Sequence, residues 1–76
     1  MKTYKLFTGE ACSPCKLLKE RIDALGLQAS FSFLDVADNT AEAMQNRVRG
    51  IPHIVSSDGA HYIGLSDGLK LIESLR

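Results

Sequence analysis

Two strand-like runs, Tyr4 to Thr8 and Phe31 to Val36, flank a single helix-periodic stretch from Ser13 to Leu25, and this order constrains the fold more than any other feature. Strands of one sheet joined by a helix run parallel. The crossover is right-handed, because a right-twisted strand feeding a right-handed helix packs back onto the sheet only that way. Tyr4 to Thr8 carries β-branched and aromatic residues and stops at Gly9. In the helical stretch, Leu18, Ile22 and Leu25 recur at i, i+4 and i+7, which builds one apolar face. Lys16–Glu20 and Lys19–Asp23 fall at i,i+4 on the wet face and predict ion pairs, while Gly26 suits the C′ position.

Asn39-Thr40-Ala41-Glu42 has the spacing of a capping box with Asn in place of Ser or Thr. It predicts a second helix reaching about Arg49, with Ala41, Met44 and Val48 inward. Ile51 to Ser56 reads as a third strand, and Asp58-Gly59 is a hairpin signal leading into Ala60 to Ile63. Ser66 is placed to cap a last helix whose buried stripe is Leu69, Ile72 and Leu75. The expected architecture is α/β, in the order β-α-β-α-β-β-α, with a four-stranded mixed sheet flanked by three helices. A single domain fills residues 1–76 and leaves no room for a linker or repeat.

Charge excludes several classes of function. Lys plus Arg and Asp plus Glu number nine each, so no net field favours nucleic acid or an anionic membrane. No apolar run approaches the length of a membrane span, and Met1 to Phe7 lacks the apolar region of a signal peptide. The expectation is a cytoplasmic monomer.

The only two cysteines lie in Cys12-Ser13-Pro14-Cys15, where the first strand gives way to the first helix. A helix N-terminus presents unpaired N–H groups and partial positive charge, which favour a thiolate. Cys12, facing solvent, is expected to attack, and Cys15, a turn inside, to resolve. Pro14 costs little in the first turn. Lys16 adds positive charge, and Glu10 opposes it, which predicts a moderate depression of the thiol pKa. Two other readings stay open: an inert pair, or half of a metal site completed by His53 and His61. The spacing of those histidines does not suit a short zinc module, and no metal ligand is assigned.

The βαβ unit with Cys-x-x-Cys at its first helix, followed by a helix and Ile51-Pro52 before a hairpin, resembles the thioredoxin fold. The resemblance implies a cis Pro52 opposite the dithiol, with the Ile51 backbone pairing with a bound peptide or glutathione. The short chain, and Tyr62-Ile63-Gly64-Leu65-Ser66-Asp67-Gly68-Leu69, resemble the glutaredoxin branch. That resemblance implies that the Ser66 and Asp67 amides take the γ-glutamyl carboxylate of glutathione, that the Asp67 carboxylate takes its ammonium, and that Arg49 holds its glycyl carboxylate. Glutathione would then be reductant and co-substrate with no bound cofactor. Clients would be disulfide-containing proteins such as ribonucleotide reductase.

Three features point elsewhere within the fold. Pro14 sits where thioredoxins place their proline, the basic residue common before the glutaredoxin motif is absent, and Arg49-Gly50-Ile51-Pro52 matches a common thioredoxin sequence. An electron carrier recharged by thioredoxin reductase is therefore the alternative. A further one is an iron–sulfur cluster shared between protomers, since Ser13 is small, as in glutaredoxins that carry one. His53, next to Pro52, either faces the dithiol or occupies a core or solvent position, and His61 is expected at the surface.

Overall fold

The computed structural model describes residues 1–76. Strand β1 (Tyr4–Thr8) leads into α1 (Ser13–Ala24), and a 3-10 turn at Gln28–Ser30 enters β2 (Phe31–Asp35). After these come α2 (Thr40–Gln45), β3 (His53–Ser56), β4 (His61–Ile63) and α3 (Gly64–Ser74). The strands form one sheet in the order β2-β1-β3-β4. β1 and β2 are parallel, with Tyr4 opposite Phe31 and Thr8 opposite Asp35. β3 runs antiparallel on the other side of β1, with Leu6 opposite Ile54, and β4 closes the hairpin with His61 opposite Val55. The element order and the mixed sheet are those the sequence predicts.

Strand alternation divides the core between the two faces of the sheet. Tyr4, Leu6 and Ile54 pack with Leu18 and Ile22 of α1 and Leu71 and Ile72 of α3. Phe7 and Val55 pack with Ala43 of α2, bordered by Leu34, Val36 and Val48. Helices α1 and α3 therefore cover one face and α2 the other. Each fully enclosed Leu or Ile contributes about 1.5–3 kcal/mol. The α1–α3 contact is close because of Gly68, where an added Cβ would lie 2.8 Å from Leu18 Cδ1. At the rim, Arg21 Nε donates to Glu73 Oε2 at 2.6 Å, and Arg76 joins the same carboxylate at 3.0 Å. Both pairs are partly exposed, so they add little to stability.

Several local expectations give way. Helix α2 ends at Gln45, short of Arg49, because Arg47 turns left-handed at φ 58°. Its buried residue is Ala43, whereas Ala41 is exposed and Met44 projects into solvent. The Asn39 side chain makes no cap; its Nδ2 donates to the Asp35 carbonyl and braces the preceding loop. On α1, Lys19 lies 5.7 Å from the Phe33 ring centroid, and Asp23 accepts from the Gln28 amide, so neither expected i,i+4 pair forms. Strand β3 begins at His53 because Ile51 and Pro52 form a turn. Helix α3 starts at Gly64, with Ile63 as N-cap, because β4 feeds straight into it. The start precedes Ser66, which therefore does not cap, and Gly68, Leu71 and Ile72 become the most buried face.

Candidate active site

Cys12 is the N-cap of α1, with extended backbone at φ −111° and ψ 99°. Its Sγ accepts the Cys15 N–H at 3.2 Å, and its carbonyl accepts the Lys16 N–H at 3.1 Å. The two cysteines are joined as a disulfide, with Cα atoms 5.2 Å apart. Cys12 is half-buried, while Cys15 is 1% exposed. One sulfur is therefore open to a client and the other sits behind it. An amide aimed at the Cys12 sulfur, at the positive end of a helix, stabilises negative charge there once the bond is reduced. Cys12 opens onto a depression of about 610 Å³ rimmed by Glu10, Lys16 and Lys19.

The Ile51–Pro52 bond is cis. Pro52 is buried, and the Ile51 side chain reaches Gly9, where a Cβ would stand 2.6 Å from Ile51 Cδ1. Gly9 also lines the Cys12 depression, so the proline turn abuts the loop that carries the dithiol. The turn is tied at its other end by the Gly64 N–H, which donates to the Pro52 carbonyl at 3.0 Å.

The remaining expected contacts are spread out. Arg49 is exposed and lies beyond the end of α2, not in its last turn. It borders an apolar groove of about 380 Å³ with Ala43, Met44, Val48 and Ile51. Ser66 and Asp67 are exposed in the first turns of α3. With the helix beginning at Gly64, the Asp67 N–H falls in i to i−4 register with the Ile63 carbonyl, so the free first-turn amides precede it. Asp67 borders a depression shared with Tyr62 and Lys70. The proline turn thus meets the loop that carries Cys12, Arg49 lies two residues before Ile51, and Ser66 and Asp67 lie in the first turns of α3, whose first residue Gly64 is tied to Pro52.

His53 lies on the α2 side of the sheet with Val55, away from the face that α1 covers. It is 3% exposed, and its Nε2 lies 2.8 Å from His61 Nδ1. Burial, and then the nearby His61, hold the His53 pKa below its usual 6.5. No three His, Cys, Asp or Glu side chains gather as a metal-holding group, so the cysteines and histidines do not form a common ligand set. His61 is exposed, as the sequence predicts, and only its contact with His53 was missed. The signal was the hairpin register: His53 opposes Ile63, which makes His61 its diagonal neighbour on the same face. Sequence reasoning also missed Thr8, whose buried Oγ1 has no hydrogen-bond partner.

No protein-family model matches the sequence, and no curated protein matches it. Solved structures do. A thioredoxin from Trypanosoma brucei brucei superposes with a TM-score of 0.79 at 24% identity, covering 100% of this chain and 73% of that one. A point mutant of the thioredoxin from Halobacterium salinarum gives 0.76 at 29% identity, covering 96% of this chain and 70% of that one. The oxidised mitochondrial thioredoxin 3 of Saccharomyces cerevisiae gives 0.77 at 26% identity, covering 96% of this chain and 77% of that one.

Proposed function

We propose that this thioredoxin-fold protein is a small dithiol oxidoreductase that reduces protein disulfides and glutathione mixed disulfides, with glutathione as its electron source. The observation that carries the reading is Cys12 as a half-buried helix N-cap paired with a buried Cys15. In the forward reaction the Cys12 thiolate attacks one sulfur of a client disulfide. A Cys12–client disulfide forms and the other client sulfur leaves as a thiolate. The Cys15 thiolate then attacks Cys12 Sγ, the mixed disulfide breaks, and the second client thiolate departs. Two electrons have passed to the client, and the protein is left with its Cys12–Cys15 bond. Glutathione reverses that last state by the same exchange, ending as glutathione disulfide.

The backbone of Ile51, beside Gly9 and the dithiol, is suited to pair with an extended client segment or with glutathione. Arg49, which forms no ion pair, is available to a carboxylate there. Ribonucleotide reductase is the proposed client, the protein a monomer and the cytoplasm its compartment. No helix is long and apolar enough to cross a membrane.

A second reading keeps the chemistry and replaces the electron source with thioredoxin reductase. One observation favours it: the matched structures are thioredoxins. A paired assay on a model disulfide separates the readings by NADPH consumption. One arm supplies glutathione with glutathione reductase, and the other supplies thioredoxin reductase. Turnover in the first arm, with a raised KM for glutathione in Asp67→Ala, supports the glutathione reading. Turnover only in the second arm replaces it.

A further inference from the structure

The histidine pair lies at the base of the proline turn. His53 directly follows Pro52, and His61 begins the short strand that ends at Ile63. The next residue, Gly64, donates its N–H to the Pro52 carbonyl. The ring contact and this amide bond therefore close a small circuit, from Pro52 through His53 and His61 along β4 to Gly64 and back.

We propose that His61 is a positioning residue for disulfide exchange: through His53 it holds the Pro52 turn against the β4–α3 junction, and protonation of both rings releases that hold. The role rests on the oxidoreductase reading given above.

Proton counting defines when the hold fails. In the neutral pair, one facing nitrogen carries the hydrogen and the other supplies the lone pair. The bond holds while one facing nitrogen keeps its lone pair, whichever ring donates. When both facing nitrogens carry hydrogens, the rings must separate. Burial of His53, and then the nearby His61, oppose charging of His53, so this state is reached below the usual 6.5.

Surrounding groups offer little compensation. β1 turns Phe7 and Lys5 toward this face, β4 turns His61 and Ile63, and α2 contributes Ala43. Lys5 is paired with Glu42, and the polar depression onto which His61 opens holds Lys5 and the neutral Asn46. Asp58, at the hairpin tip, is held by Lys2. No unpaired carboxylate among these groups is available to stabilise a doubly charged pair.

The test has two readouts. In the oxidised protein, hydrogen exchange of the Gly64 amide, corrected for its intrinsic rate, reports the hold without any activity. At pH 7, His61→Ala should lower this protection about two- to tenfold, the value of one net hydrogen bond. His61→Asn, whose amide takes the place of Nδ1 and does not titrate, should retain it. As the pH falls below 6.5 the wild type should lose protection while His61→Asn does not. In the reduced protein, single-turnover reduction of insulin disulfides is divided by the Cys12 thiolate fraction measured by iodoacetamide alkylation. The normalised rate should fall in acid for the wild type and stay flat for His61→Asn.

Unchanged Gly64 protection in His61→Ala would overturn the hold itself. Altered protection, with parallel normalised rates in wild type and His61→Asn, would overturn the positioning role. Absence of any disulfide reduction by the wild type at pH 7 would overturn the oxidoreductase reading and the positioning role with it, whatever Gly64 does.

Discussion

Cys12 combines accessibility with stabilisation of its charged form, whereas Cys15 has neither exposure nor the helix-capping position. This asymmetry predicts different losses on substitution. Cys12→Ser removes the attacking sulfur and should cut disulfide reduction at least about a thousandfold. Cys15→Ser leaves the attacker in place. Protein disulfides should then trap as a Cys12 mixed disulfide, while glutathione mixed disulfides should still exchange by a single-thiol route. Non-reducing gels and turnover of the two substrate types check this directly, and equal, complete loss in both variants would argue against glutathione as a partner. Thr8 shows a different residue-scale property. Its hydroxyl is enclosed without a partner, and nothing in the alternation of β1 distinguishes it from an apolar core residue.

Among the helices, α1 and α3 pack directly on each other, and Gly68 sets their spacing. An alanine there would place Cβ 2.8 Å from Leu18 Cδ1 and 3.1 Å from Cδ2. Leu18 is fully enclosed among the core residues, so its displacement must be shared by its neighbours. Overpacking costs typically about 1–3 kcal/mol, against about 1 kcal/mol gained in helix propensity. Gly68→Ala should therefore lower unfolding stability by about 1 kcal/mol, as measured by the urea midpoint. Gly9 is the contrasting case. A methyl there meets only the end of the partly exposed Ile51 side chain, which can swing aside at small cost. Helix α2, only six residues long, depends on Ala43 and the second core cluster for its position. This explains why its period was misread: a short helix offers too few turns for a pattern to show.

For the whole molecule, acid should act in two windows. The folded state holds the His53 pKa below 6.5, so the unfolded chain binds more protons as pH falls through 6.5. The His53 contribution is complete above pH 6.5 and is lost as the pH drops toward the lowered folded value. Asp58 acts later. The Ser56 hydroxyl, the Lys2 ammonium and the Ala60 amide hold its carboxyl at about 2, against an ordinary 3.8. Its contribution is present above pH 3.8 and lost as pH falls toward 2, with Glu73, lowered by Arg21 and Arg76, changing in the same direction. Denaturant midpoints of the oxidised protein across pH 7 to 2 should therefore fall in two separate ranges. A flat profile between pH 6.5 and 5 would contradict the buried, neutral state of His53.

The amino-acid sequence by itself determined the order of elements, the parallel β1–β2 pair and the dithiol at a helix start, because periodicity, turn chemistry and crossover handedness are local or nearly so. The apolar stripe of α1 and the Asp58-Gly59 hairpin were legible for the same reason. Tertiary structure decided the rest. Where α3 begins follows from β4 running into it without a loop, which makes Ile63 the cap in place of Ser66. The contact of Ile51 with Gly9 joins segments far apart in the chain and is fixed by packing across the sheet, which no local pattern of residues encodes. That of His53 with His61 follows once the hairpin register is set.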